Sequence, residues 1–150
     1  METHLDDEAL TMRDMNELSN AVAETEGWVE DLRQRLGWHD RGKAYAALLS
    51  TLHALRDSLP REEAVFVGSY LPPLLRGLYY EGWHPGAHIA AKNRNAFLER
   101  IHEGVERDVG IDVDQVAHAV FALLAARLPA DELEDAKAAT PQALHFLWPS

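Results

Sequence analysis

The chain has 150 residues, a formal net charge of −11 at pH 7 and no cysteine. The absence of cysteine excludes disulfides and thiolate metal sites, and the negative charge disfavours nonspecific binding to nucleic acid or anionic lipid, because both are negatively charged themselves. Hydrophobic residues form 47% of the chain, which excludes a chain too polar to fold and predicts one domain with a substantial core.

Residues 1–18 are polar and acidic, and their apolar side chains follow a helical spacing only loosely. We expect them to form an N-terminal arm or a short docking helix ahead of one helical domain over residues 19–150. The segment lacks the basic and apolar regions of a secretory signal, and no apolar run reaches the roughly 20 residues of a membrane span. The sequence therefore predicts a cytoplasmic protein that does not bind membranes.

Four helices are predicted in the first half of the chain. The first runs from Ala21 to Leu36, and Gly37 suits the turn that follows it. Asp40 can cap the second helix by accepting a hydrogen bond from a free backbone N–H. The predicted buried stripe of this helix consists of Ala44, Leu48, Leu52, Leu55 and Leu59, broadened by Tyr45 and Leu49.

Proline residues divide the third and fourth helices. Pro60 suits the first position of the third helix, because its missing N–H has no partner there, and Glu62 and Glu63 then lie in the positively polarised first turn. The pair Pro72-Pro73 ends that helix, since proline removes a donor and disfavours helix in the residue before it. The fourth helix carries the apolar residues Leu74, Leu75, Leu78 and Tyr79 and ends at Gly82.

The second half follows a linker over residues 84–92, which has proline and glycine near its start. A helix is predicted from about residue 93 to 108, and Gly110 interrupts the helical pattern after it. Asp112 and Gln115 have the spacing of a capping box for the next helix. Its predicted buried stripe is Val113, Val116, Val120, Leu124 and Leu128, with Phe121 beside it. Pro129 begins a short acidic helix, and Thr140-Pro141 begins another.

The two halves align without a gap when the chain is shifted by 69 residues, the separation of Pro60 from Pro129. Core positions and proline breaks recur together, as Trp28 with Phe97, Leu32 with Ile101, Leu55 with Leu124, Pro72 with Pro141, and Tyr79 with Trp148. Such agreement is typical of a duplicated packing unit. We predict an all-α fold, a single helical bundle of two tandem repeats of three to four helices each (about 21–83 and 93–148), related by a pseudo-twofold axis.

Three stretches together resemble the domain of unknown function 2267 family of small bacterial all-helical proteins. They are Trp28-Val29-Glu30-Asp31-Leu32, Leu52-His53-Ala54-Leu55-Arg56-Asp57-Ser58-Leu59-Pro60 and Arg76-Gly77-Leu78-Tyr79-Tyr80-Glu81-Gly82-Trp83-His84-Pro85. The resemblance covers roughly residues 21–148 and implies a small bacterial helical protein with two related halves. It implies no activity and no catalytic residue.

The chain has eight histidines. The strongest candidate for a metal site is the pair formed by Glu99 and His102. Their i, i+3 spacing puts two ligands on one helical face, as in di-iron bundles, but such bundles need a second copy of the motif. The other match, Glu81 and His84, crosses a glycine, and Pro85-Gly86 keeps His84 and His88 off a regular helix. The preferred interpretation is that no metal is bound.

No catalytic constellation is found. The candidate nucleophiles Ser50, Ser58 and Ser69 lie within or at the ends of predicted helices, without the glycine-flanked turn that exposes a serine nucleophile. Phosphate-binding glycine loops are absent, and the neighbours Glu62 and Glu63 are interpreted as solvated or helix-start charges. The sequence favours a non-enzyme without a cofactor.

The surface most typical of a binding site is the aromatic end of the first half, defined as Arg76, Tyr79, Tyr80, Glu81, Trp83 and His84. Aromatic and arginine side chains anchor partners, because they bury a large area at small entropic cost. The first hypothesis is a protein-interaction or self-association module that uses this surface; packing at the end of the bundle is the other explanation for the aromatic residues. The alternative function is a small-ligand or metal-binding bundle with a pocket between the repeats, near Trp28, His53 and Tyr80.

The neighbours Arg56 and Asp57 are interpreted as a local ion pair on an exposed helix, which would contribute only a few tenths of a kcal/mol to stability.

Overall fold

The structure, a computed structural model, describes residues 2–85 and 93–150, with side chains from residue 11 onward. In these ranges it contains seven α-helices, a 3₁₀ helix and no strand, so the predicted all-α class is confirmed. The helices are α1 (Glu2–Leu36), α2 (Arg41–Ser58), α3 (Arg61–Ser69), α4 (Pro73–Tyr80), α5 (Arg94–Gly104), α6 (Val113–Arg127), α7 (Ala130–Ala139) and the 3₁₀ helix Gln142–Leu147. Most of the predicted linker, residues 86–92, lies outside the described residues.

Helix α2 is the central element and packs against α1, α4, α5 and α6. It begins where predicted, because the Asp40 side chain accepts a hydrogen bond from the Lys43 backbone N–H at 3.1 Å. The five residues of its predicted stripe, Ala44, Leu48, Leu52, Leu55 and Leu59, are all buried. Tyr45 is exposed and Leu49 half-buried, so the predicted broadening of the stripe was wrong on that side.

The hydrophobic core contains side chains from both halves of the chain. Leu55 on α2 and Leu124 on α6 are fully buried in the same cluster. Phe121 on α6 contacts Phe97 on α5 and Trp148 at the end of the chain, with ring centroids 5.9 and 4.5 Å apart. Helix α1 packs against α6, and α3 packs against α7, so contacts join the two halves along several helices.

Proline precedes four of the helices. Pro60, Pro72, Pro129 and Pro141 are each the residue before the first helical turn, with φ between −50° and −58° and ψ between 141° and 152°. The predicted breaks are therefore confirmed, but Pro60 and Pro129 lie one position outside their helices. Their extended ψ explains the difference, because a residue inside a helix needs a negative ψ. The last predicted helix is a 3₁₀ helix.

Two other predicted boundaries were wrong. Helix α1 begins at Glu2 and not at Ala21, so the acidic segment continues the helix that packs on the core. Helix α5 ends at Gly104, before the predicted end at residue 108. There Glu106 and Arg107 adopt left-handed φ angles of 57° and 55°, and the Arg107 N–H donates to the His102 carbonyl at 2.8 Å, which turns the chain away.

Helices α3 and α4 approach each other at Gly68, and this contact can be tested. A Cβ atom at Gly68 would lie 2.9 Å from Cε2 of Tyr79 and 2.8 Å from Cζ of Tyr80. We expect Gly68→Ala to lower the free energy of unfolding by about 1–3 kcal/mol, the usual effect of overpacking, measured by urea denaturation.

The matched control is Gly77→Ala on α4, where an added Cβ meets nothing within 4 Å. There alanine gains helix propensity, so stability should stay unchanged or rise by up to about 1 kcal/mol. Equal effects of the two substitutions would contradict the close approach at Gly68.

Candidate functional site

Two side chains of α2 hold the C-terminal end of α4. His53 Nε2 lies 2.8 Å from the Leu78 carbonyl oxygen, and Arg56 Nη1 donates to the carbonyls of Tyr79 and Glu81 at 2.7 and 2.9 Å. The last carbonyls of a helix have no hydrogen-bond donor within the helix and carry partial negative charge. A guanidinium supplies both the N–H donors and the compensating positive charge. The aromatic end is thereby fixed to the centre of the bundle.

Arg56 is only 3% exposed, so its interpretation as part of an exposed ion pair was wrong. Its Nε donates to Asp57 at 2.8 Å, and Asp57 also pairs with Arg100 of α5. The local pair predicted from the sequence exists, but α4 folds over it and removes Arg56 from water. The Arg56–Asp57–Arg100 network therefore links α2, α4 and α5, two helices of the first half with one of the second.

His53 acts as a neutral donor in this arrangement. Burial lowers the pKa of His53, with a smaller opposing effect from its hydrogen bond to the Leu78 carbonyl. A carbonyl oxygen can only accept, so the Nε2 atom carries the proton. Because the folded pKa is depressed, His53 favours folding fully above the ordinary value of 6.5 and less as the pH falls through that range.

The aromatic end packs mainly against α3. Tyr79 is fully buried and its hydroxyl donates to the Ala64 carbonyl at 2.7 Å, and burial raises the pKa of Tyr79. The Tyr80 hydroxyl donates to the Val65 carbonyl at 3.2 Å, and its ring stacks on Trp83 at 5.5 Å. Since Tyr79 is enclosed, the part of this surface open to a partner is formed by its neighbours.

The other residues predicted at the aromatic end lie at the surface or near it. Arg76 is half-buried, and its guanidinium donates to the carbonyls of Gly68, Ser69 and Leu71 at 3.0–3.1 Å, so it also joins α4 to α3. Trp83 is half-buried, whereas Glu81 and His84 are exposed. The structure thus brings all six residues to one end of α4, and their role in binding stays a prediction.

Apolar side chains on α3 and at Tyr70, the residue that follows it, extend this surface and were missed by the sequence analysis. Val65, Phe66 and Tyr70 are each more than 40% exposed. Phe66 and Tyr70 are four residues apart and share one face of the helix. Their helical positions could have indicated exposure, because all three lie away from the line of the buried residues Ala64 and Val67. Their apolar character alone suggested that they belong to the core.

A cleft of about 820 Å³ lies between α2 and α5. Its polar lining comes from Tyr45, Ser50 and His53 on α2 and from Glu99, Arg100 and Glu103 on α5. Of the three residues predicted around a pocket between the repeats, His53 lines this cleft and the other two lie elsewhere. Trp28 is buried beneath Arg127, whose guanidinium carbon is 4.9 Å from the ring centroid, and Tyr80 packs on α3.

The candidate metal ligands are not assembled into a cluster. Glu99 is exposed and pairs with Arg107, which competes with a metal ion for the carboxylate. No group of three or more histidine and carboxylate side chains with metal-binding geometry occurs among the described residues. His84 lies in the turn after α4, and His88 falls outside the described ranges.

The N-terminal half of α1 carries an uncovered apolar stripe, here called the α1 seam: Met15, Leu18 and Val22. These residues are 58%, 62% and 45% exposed. They continue, at alternating steps of three and four residues, the series Thr25, Val29, Leu32 and Leu36, which is buried against the bundle. At Val22 the seam meets a mostly apolar groove of about 630 Å³, whose lining includes Tyr45, Leu74 and Leu78.

Comparison with known proteins gives one family. The model of an uncharacterized conserved protein family (DUF2267) matches residues 25–147. The chain belongs to the DUF2267 family. A search of curated proteins finds no match to this DUF2267 chain. The matched region includes the Arg56 network and the aromatic end, and it begins after the α1 seam.

No described helix of this DUF2267 protein is both long and apolar enough to span a bilayer.

The Arg56 contacts predict a large effect of a single substitution. We expect Arg56→Met to lower the free energy of unfolding by about 2–4 kcal/mol, because it leaves buried carbonyls and Asp57 short of a donor. Urea denaturation measures the change.

Arg107→Met provides the matched control, since Arg107 makes its ion pairs with Glu99 and Glu103 at the surface. Its loss should cost no more than about 1 kcal/mol. If Arg56→Met cost as little, the anchoring of α4 through Arg56 would be refuted.

Proposed function

We propose that this DUF2267 protein is a self-association module, in which a second copy of the chain covers the α1 seam. The supporting observation is the change in exposure along one apolar series of α1. From Thr25 onward the series is buried, whereas at Met15, Leu18 and Val22 it faces solvent. The apolar spacing therefore continues toward the N-terminus beyond the part of α1 that packs against the other helices.

The spacing of the series favours a helix as the missing partner. Steps of three and four residues keep apolar side chains on one line, which is the pattern by which two helices pack side by side. Helix α1 has 35 residues, and none of its side chains from residue 11 to 24 is buried, a stretch about 20 Å long. Most helical stability in proteins comes from tertiary packing, so covering this part stabilises it.

A second copy is the occupant that these features support best. Each copy carries the same uncovered seam, continuous with the groove at Val22, so two copies cover each other's apolar surface without any further component. The charged residues at the helical positions beside the seam are Asp14 and Glu26, so the approaching helices carry like negative charges. Added salt screens this repulsion and should strengthen the association.

The aromatic end is the second surface proposed for association. Its support is the neighbouring exposure of Val65, Phe66 and Tyr70, since a contiguous apolar surface often marks an interaction site. Tyr80 and Trp83 border it and are open enough to contribute. We rank it after the α1 seam, because its aromatic rings already have packing partners on α3.

We also infer that the bundle arose by duplication of one unit. Equivalent positions 69 residues apart are buried in pairs, as with Leu55 and Leu124, Leu75 and Leu144, or Tyr79 and Trp148. Pro60 and Pro129 precede their helices with nearly identical dihedral angles. The units differ where α4 is a helix held by Arg56 and its counterpart is a 3₁₀ helix, since Ala125 stands at the position equivalent to Arg56.

Ligand binding is the second candidate function, supported by the cleft between α2 and α5. Its volume of about 820 Å³ falls in the range of small-molecule sites, and Ser50, His53 and Arg100 supply polar groups of different kinds. Native mass spectrometry of the purified protein distinguishes the two functions. A co-purifying small molecule supports the cleft, whereas an empty dimer supports self-association.

Self-association predicts the effect of charges in the seam. We expect the double variant Met15→Glu, Leu18→Glu to weaken dimerisation at least tenfold, about 1.4 kcal/mol, because two carboxylates would be buried at the contact. Sedimentation velocity over a range of concentrations measures the dissociation constant.

The matched control is Asn16→Glu, Asn20→Glu, which adds the same charge on the other side of α1. It should leave association nearly unchanged. A third variant, Tyr80→Ala with Trp83→Ala, tests the aromatic end. A wild-type protein that stays monomeric at every concentration contradicts self-association, and a dimer weakened by the third variant alone moves the contact to the aromatic end.

A further inference from the structure

Two glutamates face each other where α3 packs on α7. Glu63 lies in the first turn of α3, and Glu132 in the first turn of α7, at the equivalent position 69 residues later. Glu132 is only 7% exposed and Glu63 is half-buried, so Glu63 is the helix-start charge that was expected as one of two explanations but is not fully solvated. The tertiary contact between α3 and α7 turns two ordinary first-turn acids into a pair.

The polar atoms of this pair lack a donor. Oε1 of Glu63 and Oε1 of Glu132 are both buried without a hydrogen-bond partner. Two ionised carboxylates can only accept, so neither can satisfy the other. One proton held between them supplies the missing donor and removes the repulsion of two buried like charges.

The charged groups around the pair also favour a bound proton. Burial first, and then the neighbouring Glu132 and Asp135 of α7, raise the pKa of Glu63 from 4.5 to about 7. From α4 the Tyr79 hydroxyl lies close enough to feel the Glu63 charge, and α2 places Arg56 and Asp57 near Tyr79. On α3 itself Arg61 and Glu62 are exposed. The charged groups that act on Glu63 are therefore acidic.

We propose that Glu63 and Glu132 form a proton-sharing carboxyl pair that holds α3 against α7 below neutral pH and loosens this contact above it. The pair joins the two halves of the bundle near the aromatic end, since α3 also carries Val65 and Phe66 and packs against Tyr79 and Tyr80. Ionisation of the pair thus acts on the helix that presents the exposed aromatic surface.

The direction of the pH dependence follows from the raised pKa. The folded protein holds the proton more tightly than the unfolded chain, so the stabilising effect is full below pH 4.5 and is lost as the pH rises through about 7. His53 works in the opposite direction, because its pKa is lowered on folding. A comparison of variants is therefore needed to isolate the pair.

The test compares the melting temperature of the wild type with that of Glu132→Gln between about pH 6 and about pH 8. The amide of glutamine donates to the Glu63 carboxylate without needing a proton. The wild type should lose about 2–5 °C more than the variant over this range. Glu62→Gln, which removes the neighbouring exposed charge on α3, should behave like the wild type.

Two further measurements locate the effect. Carboxyl carbon NMR should show Glu63 titrating near pH 7 in the wild type and at lower pH in Glu132→Gln. Amide hydrogen exchange of α7, corrected for the intrinsic rate, should accelerate above neutral pH in the wild type only. Titration of Glu63 near 4.5 in the wild type, or parallel melting curves for wild type and Glu132→Gln, would overturn the proposal.

Discussion

Arg56 is the side chain on which the arrangement of the first half depends. Buried on α2, it donates to the carbonyls of Tyr79 and Glu81, and through Asp57 it connects to Arg100 on α5. A buried guanidinium is stable only when its N–H donors have hydrogen-bond acceptors. The C-terminal end of α4 must therefore lie where its carbonyl groups can accept from Arg56. This requirement fixes α4, and the tyrosines of α4 then fix α3 through the gap left by Gly68.

The two surfaces proposed for association differ in how firmly the fold holds them. The aromatic end is tied to the bundle by the Arg56 and Arg76 hydrogen bonds, so its exposed residues are presented on a rigid element. The α1 seam belongs to a helix whose N-terminal half has no buried side chain from residue 11 to 24. A partner at the seam therefore stabilises the helix itself, whereas a partner at the aromatic end finds a surface already formed.

Positions 69 residues apart, which are equivalent in the proposed duplication, have different roles in the two halves. Tyr79 and Trp148 are both buried in the core. Arg56 has only Ala125 as its counterpart, so the polar anchor exists in the first half alone. Glu63 and Glu132 are a third case, because they are equivalent and also meet each other. Two identical acids brought face to face have no donor between them, which makes the contact between halves sensitive to protons.

The sequence by itself determined the helical class, the proline breaks and the buried line of α2, because these depend on local geometry and on the spacing of apolar residues. The Asp40 cap and the Glu62–Glu63 first turn are also local features. Only the tertiary structure decided which charged residues leave water. Arg56 and Glu63 look like surface residues in their own helices, and the neighbours that bury them, α4 and α7, come from distant positions in the chain. Burial by a distant helix cannot be read from the spacing of residues within one helix. For the same reason, the apolar spacing of α1 did not indicate that the α1 seam is exposed.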